Sequence, residues 1–113
     1  MDELTIELLQ KLCDDDTIFL TNHFLEKSKI RKITVEDVKS ALLTGEIIEN
    51  YPNDYPYPSC LVLGLSCKGR ILHTVVAPVD GFLWVITAYF PNTMKWESDL
   101  KTRKAAKNDL LIL

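Results

Sequence analysis

The amino-acid sequence predicts an α+β fold, with N-terminal helices packed on a roughly four-stranded antiparallel sheet. In the first 45 residues, apolar side chains recur at helical spacing, and capping residues stand before the apolar stripes. From residue 46 onward, apolar runs of strand length alternate with short turns. Consecutive strands with short links pair antiparallel, and helices that precede them cover one face of the sheet.

Three helices are predicted in the N-terminal part. The first covers residues 3–13, where leucines recur on one helical face. The second is capped by Thr21 or Asn22 and runs to about residue 31. The third has Thr34 as its N-cap, with an acidic residue three positions later, and Gly45 is expected to end it as a left-handed glycine.

Four strands are predicted after this glycine. Turns at 66–69 and 78–81 separate the later ones, and Pro91 ends the last. A brief β-type bridge is expected at 17–20, and the helical composition of 96–107 predicts a short C-terminal helix. The four strands cover residues 46–49, 60–65, 71–77 and 82–90.

The composition is that of one globular domain spanning residues 1–113. Hydrophobic residues make up 47% and charged residues 26% of the chain, and no apolar run is long enough to span a bilayer. The acidic N-terminus does not resemble a secretory or transit signal. Three cysteines at unpaired spacings predict neither a disulfide framework nor a metal site. We therefore expect a cytoplasmic protein that uses no metal or other cofactor.

Basic residues gather in two clusters, although the net charge is −3. One cluster lies within residues 27–32 and the other within 95–107. If the fold brings them to one side, an anionic ligand meets a locally positive field. The alternative is two separate solvated helix faces.

The loop between the first and second predicted strands is rich in tyrosine and proline. Tyr51, Tyr55 and Tyr57 are each followed by a proline, which holds the backbone extended. A stiff segment that carries aromatic rings suits a surface that grips another molecule. It is equally suited to a lid that closes the edge of a sheet.

His23, Lys27 and Arg31 recur at intervals of four residues, which places them on one face of the second helix. An imidazole followed by two cations can handle a phosphate group, because histidine moves a proton near neutral pH and the cations hold the anion. The alternative is an ordinary polar helix face.

His73 lies inside an apolar strand, where a histidine is more often a hydrogen-bonded core residue than a ligand. Thr87 and Tyr89 share one face of the next strand. If the turn at 78–81 brings them opposite His73, these groups and a helix cation could cleave RNA without a metal. The site would offer a base for the ribose 2′-hydroxyl, an acid for the leaving oxygen and a cation for the phosphate.

Most of the chain, from about residue 19 to 104, resembles the bacterial and archaeal DUF4258 family. The stretches that carry the resemblance are TNHFLEKSKIRKI, VKSALLTGEIIENYPNDYPYPSCLVLG, GRILHTVV and VITAYFPNTMKWESDLKTRK. The family is similar to the RelE/ParE superfamily of toxins from toxin–antitoxin systems. This similarity implies a compact sheet with N-terminal helices and, for many members, metal-free ribonuclease activity.

The family's helix motif has histidine followed at intervals of four by two arginines. His23 and Arg31 match this motif, but Lys27 occupies the middle position and lacks the bidentate fork of arginine. His73 matches the strand histidine of the family, and Thr87, Tyr89 and Trp96 match its later motifs. The resemblance also implies a small antitoxin partner, such as a zinc-finger protein of the YgiT type.

The residues together with the resemblance predict a toxin-like, metal-independent endoribonuclease of a type II toxin–antitoxin system, which acts on RNA. The rival prediction is a non-catalytic protein-binding module with the same fold, which the acidic net charge and the lysine at position 27 favour. A small-molecule binding protein with the tyrosine loop as a lid is a third. Candidate catalytic residues are His23, His73 and Tyr89, and candidate substrate-binding residues are Lys27, Arg31, Thr87, Tyr51, Tyr55 and Arg103.

Overall fold

The structure is a computed structural model, and it describes residues 4–104. Within this range the chain forms three helices and one five-stranded mixed sheet. The helices are α1 (Ile6–Lys11), α2 (Asn22–Arg31) and α3 (Val35–Thr44). The strands are β1 (Ile18–Leu20), β2 (Glu46–Tyr51), β3 (Ser59–Leu65), β4 (Ile71–Val79) and β5 (Phe82–Tyr89).

The sheet confirms the predicted antiparallel meander and adds an edge strand to it. The strand order is β1-β5-β4-β3-β2, and β2 to β5 pair antiparallel with their neighbours in sequence. The expected bridge at 17–20 is instead strand β1, which pairs parallel with β5. The four-stranded antiparallel description was therefore wrong in strand number and in this one pairing. Three residues give too little pattern to reveal a pairing partner more than 60 positions away.

Each helix begins at a threonine whose hydroxyl accepts a backbone N–H: Thr5, Thr21 and Thr34. At Thr34 the predicted capping box is complete, because the Asp37 carboxylate accepts the Thr34 N–H in return. Gly45 ends α3 as predicted, but in extended backbone rather than the left-handed conformation. It is required for space, since a Cβ there would overlap the Ala41 carbonyl.

The expected C-terminal helix over 96–107 is wrong in the described part, and residues 105–107 lie outside the described residues. The segment forms a hairpin in which Glu97 N donates to Thr102 O at 2.7 Å and Lys104 N donates to Lys95 O at 2.9 Å. The Asp99 carboxylate accepts the backbone N–H groups of Lys101 and Thr102, and this local turn competes with helix formation.

The core lies between the helices and one face of the sheet. Phe24 of α2 and Val38 of α3 are buried against apolar side chains of the central strands, such as Val62. Gly64 of β3 allows the closest approach, because a Cβ at this position would overlap the backbone of Ala41 in α3. Strand and helix backbones therefore touch with no side chain between them.

Gly64→Ala is expected to lower the free energy of unfolding by about 2 kcal/mol or more, because the added methyl group forces α3 away from the sheet. Gly69→Ala is the control. Gly69 has φ 78° with open space around its Cβ position, so its substitution should cost about 1 kcal/mol of backbone strain. Urea denaturation followed by circular dichroism measures both changes, and equal losses would contradict the close approach.

Candidate anion-binding site

The sheet face opposite the helices positions the candidate site. Side chains alternate between the two faces of each strand, so Leu61, Leu63, His73 and Tyr89 point away from the helical core. The C-terminal segment (residues 91–104) covers them. It is attached to β2 by two ion pairs, Lys101 with Glu46 at 2.7 Å and Arg103 with Glu49 at 2.9 Å.

His73 is completely buried beneath the C-terminal segment, and both of its ring nitrogens are bonded. Nε2 lies 2.7 Å from Leu100 O, and Nδ1 lies 3.2 Å from the Tyr89 hydroxyl. A carbonyl oxygen only accepts, so Nε2 must carry the hydrogen. Nδ1 of the neutral ring then accepts the O–H of Tyr89.

The charge state of His73 follows from its surroundings. Burial lowers the pKa of the imidazole, and this effect outweighs the opposite influence of the Leu100 carbonyl and the Glu49 carboxylate. Burial likewise raises the pKa of Tyr89. At neutral pH the two residues therefore form a neutral pair, in which the phenol donates to the imidazole.

Arg31 and Thr87, which the sequence named separately, are in direct contact. Strand β1 pairs with β5 only as far as Val85, which leaves later carbonyls of that edge without strand partners. Nη1 of Arg31 donates to Ala88 O at 2.9 Å and to Thr87 Oγ1 at 3.1 Å, and the Thr21 hydroxyl donates to Ile86 O. One nitrogen of the Arg31 guanidinium thus provides the hydrogen-bond donor that a neighbouring strand would otherwise supply at this edge of the sheet.

Arg103 is held by Glu49 and by an aromatic ring. Its Nε and Nη2 donate to the Glu49 carboxylate over 2.9–3.2 Å, and its guanidinium carbon lies 4.6 Å from the Trp96 ring centroid. The Tyr51 hydroxyl also donates to Glu49, at 2.5 Å. Burial, reinforced by the neighbouring carboxylate, raises the pKa of Tyr51 to about 12. Tyr51 therefore acts on the site through Glu49.

These elements meet at a cavity of about 440 Å³. Three of its residues are cationic and three are aromatic, and within residues 4–104 the Lys95 ammonium has no carboxylate within 4 Å. The guanidinium carbon of Arg70 lies 3.8 Å from the ring centroid of Phe90, a lining residue, and adds a further positive charge near the cavity. Within the described residues, Glu49 is the one carboxylate that forms an ion pair with a lining residue. The lining residues are Arg31, Tyr89, Phe90, Pro91, Asn92, Lys95, Trp96 and Arg103.

The cavity brings together some of the predicted site residues. Arg31, Tyr89 and Arg103 line it, and His73 and Thr87 contact lining residues from behind. His23, Lys27, Tyr51 and Tyr55 are not among the lining residues. His23 is exposed on α2, about 12 Å along the helix axis from Arg31. Its assignment to the same site as His73 stays a prediction.

Sequence reasoning missed Phe90, Asn92 and Lys95 as site residues, and it did not count Trp96 among the candidate site residues. Lys95 does belong to the late basic cluster, and its place after a strand-ending proline was an available signal. Glu49 carried no such signal. Its role depends on the path of the C-terminal segment over the sheet, which local sequence patterns do not reveal.

The burial of His73 predicts a pH dependence of stability. Because its folded-state pKa is lowered, protonation favours the unfolded chain, so stability should fall as the pH drops from about 7 to about 5. His73→Gln keeps a donor and an acceptor but does not titrate, and should show a smaller loss over the same range. Urea denaturation at the two pH values measures both, and parallel losses would contradict the assignment.

Comparison with known proteins gives a family and no function. None of the curated proteins and none of the solved structures matches this chain significantly. Within residues 4–104, no helix is long and apolar enough to cross a membrane, and no group of three or more His, Cys, Asp or Glu residues could hold a metal ion. The domain of unknown function DUF4258 matches residues 20–90, which is more than half of the sequence. The chain therefore belongs to the DUF4258 family.

Proposed function

We propose that this protein is a toxin-like, metal-independent endoribonuclease that binds an RNA phosphodiester in the cavity. One observation carries the proposal. Tyr89 lines the cavity, its hydroxyl is bonded to a buried neutral imidazole, and two arginines line the same cavity. A proton acceptor beside a cluster of cations is what cleavage by a ribose 2′-hydroxyl needs.

The proton path runs through Tyr89. Its raised pKa keeps the phenol protonated at neutral pH, and its oxygen takes the proton of the 2′-hydroxyl while its own proton passes to Nδ1 of His73. The 2′-oxygen then forms a bond to phosphorus, and the bond from phosphorus to the 5′-oxygen breaks. The Lys95 ammonium supplies the proton of the leaving oxygen. The products are a 2′,3′-cyclic phosphate and a 5′-hydroxyl end.

Binding in this proposal is shared between cations and rings. Each arginine keeps N–H groups beyond those that bond Ala88 or Glu49, and these can reach the non-bridging phosphate oxygens. Phe90 and Trp96 offer faces on which neighbouring bases stack. The same proposal includes a likeness to RelE/ParE toxins, which the motif positions of His73, Tyr89 and Arg31 support. It also includes a small zinc-finger antitoxin as the partner.

Tyr89→Phe should reduce RNA cleavage by about 10²-fold or more, because it removes the hydroxyl that links substrate to His73. Tyr57→Phe, which removes an exposed hydroxyl outside the cavity, is the matched control and should cleave normally. Cleavage of a mixed-sequence RNA, with mapping of the cyclic phosphate ends, measures both. Full activity of Tyr89→Phe would exclude this proton path.

A non-catalytic protein-binding module is the second candidate. Complete burial of His73, with both nitrogens bonded, favours it, since this is also how a purely structural histidine is held. Expression in a bacterial host separates the two candidates. Growth arrest relieved by the product of a neighbouring gene supports the toxin, whereas harmless expression without cleavage of any RNA supports the binding module.

A further inference from the structure

A second surface on the same sheet face stays uncovered by the C-terminal segment. Phe19 of β1 pairs with Trp84 of β5, and their ring centroids are 4.8 Å apart. Tyr57 packs edge-on against Trp84 at 5.9 Å, and Phe82 lies on the same face two residues before Trp84. We call Phe19, Tyr57, Phe82 and Trp84 the aromatic patch. Their side of the sheet is certain because Leu83 and Val85 point into the helical core.

Three of the four rings of the aromatic patch are exposed, and Trp84 is partly buried. Phe19 and Phe82 are each 47% exposed, and Tyr57 is 41% exposed. The aromatic patch lies about 17 Å along β5 from Tyr89, at the end of the strand away from the cavity. Large aromatic side chains gathered on one exposed surface are typical of a site that another molecule covers.

Three aspartates lie at the end of the sheet that carries the aromatic patch. Thr17 O accepts the Leu83 N–H at 2.8 Å, and Asp16 stands one residue before Thr17, at the same end of β5 as Asp80 in the turn. Asp54 lies in the same loop as Tyr57. Within residues 4–104, none of these three carboxylates has a lysine or arginine nitrogen within 4 Å. The surface is therefore both aromatic and negative, in contrast to the cavity.

Strand β1 adds a backbone edge to this surface. Among the strands of residues 4–104 it is the outermost, and β5 is its one neighbour. Thr17 O and Thr21 N bond to β5, so the alternation along the strand turns the peptide groups of Leu20 outward. An extended segment of another chain can pair there.

We propose that the aromatic patch and the outer edge of β1 bind an extended, basic segment of a partner protein. Lysine or arginine side chains of that segment lie over Trp84 and Phe19 and beside the three aspartates, because aromatic faces and carboxylates both favour cations. Main-chain hydrogen bonds to β1 supply affinity that does not depend on side chains. RNA is disfavoured here, because its phosphates would meet Asp16, Asp54 and Asp80. This inference does not depend on ribonuclease activity.

The test uses a ten-residue peptide of alternating lysine and valine, with an alternating glutamate and valine peptide as its matched control. Nuclear magnetic resonance titration of the full chain should show binding of the basic peptide, with shifts at residues 18–20 and at the Trp84 indole. The acidic peptide should cause neither. Failure of the basic peptide to bind, equal binding of the two peptides, or a shift of the Trp84 indole on titration with RNA alone would overturn the proposal.

Two variants test the surface without disturbing the core. Trp84→Ala should weaken peptide binding by about tenfold. Because this change also removes packing against Tyr57, the charge neutralisation Asp80→Asn is the second variant. Asp80 has φ 50° in the turn, a backbone conformation that asparagine also tolerates, so the variant should weaken binding while leaving the thermal midpoint and any RNA cleavage unchanged. Unaltered affinity in Asp80→Asn would remove this carboxylate from the interface and contradict the proposed partner chemistry.

Discussion

The two hydrogen bonds of His73 are the constraint on which the site depends. One ring nitrogen bonds a backbone carbonyl of the C-terminal segment, and the other bonds a tyrosine of β5. The ring itself packs edge-on against Trp96 at 4.6 Å. Burial of a polar ring this deeply would cost free energy if either nitrogen lacked a hydrogen-bond partner. The two hydrogen bonds therefore fix the C-terminal segment to the sheet. The cavity exists because that attachment places Trp96 and Arg103 opposite Arg31.

Charge is distributed unevenly along one sheet face, and the net charge of −3 hides this. Arginines and a lysine gather where β5 ends, whereas aspartates that form no ion pair within residues 4–104 lie near the residues where it begins. Glu49 is the exception, and it serves to position Arg103. A single face can therefore present two electrostatically different surfaces about 17 Å apart, which is beyond the screening length at physiological salt.

Much of the fold was predictable because its determinants are local. Threonine caps, the capping box at Thr34 and the apolar runs separated by short turns each lie within a few residues of the element they define. The parallel pairing of β1 and the path of the C-terminal segment were not predictable. Both depend on partners far along the chain, and the turn at Asp99 overrides the helical composition around it. For the same reason Arg31 and Tyr89 could be named from the sequence, but Glu49 and Leu100 could not.

The boundary of the family match bears on how the cavity varies among proteins of this family. DUF4258 matches residues 20–90, yet five of the eight lining residues follow Phe90. The matched region supplies three of the lining residues, and the sequence after it supplies the other five. Substitution of individual residues in this stretch, such as Lys95, can thus change the lining of the cavity while Leu100 and Trp96 still hold His73 in place.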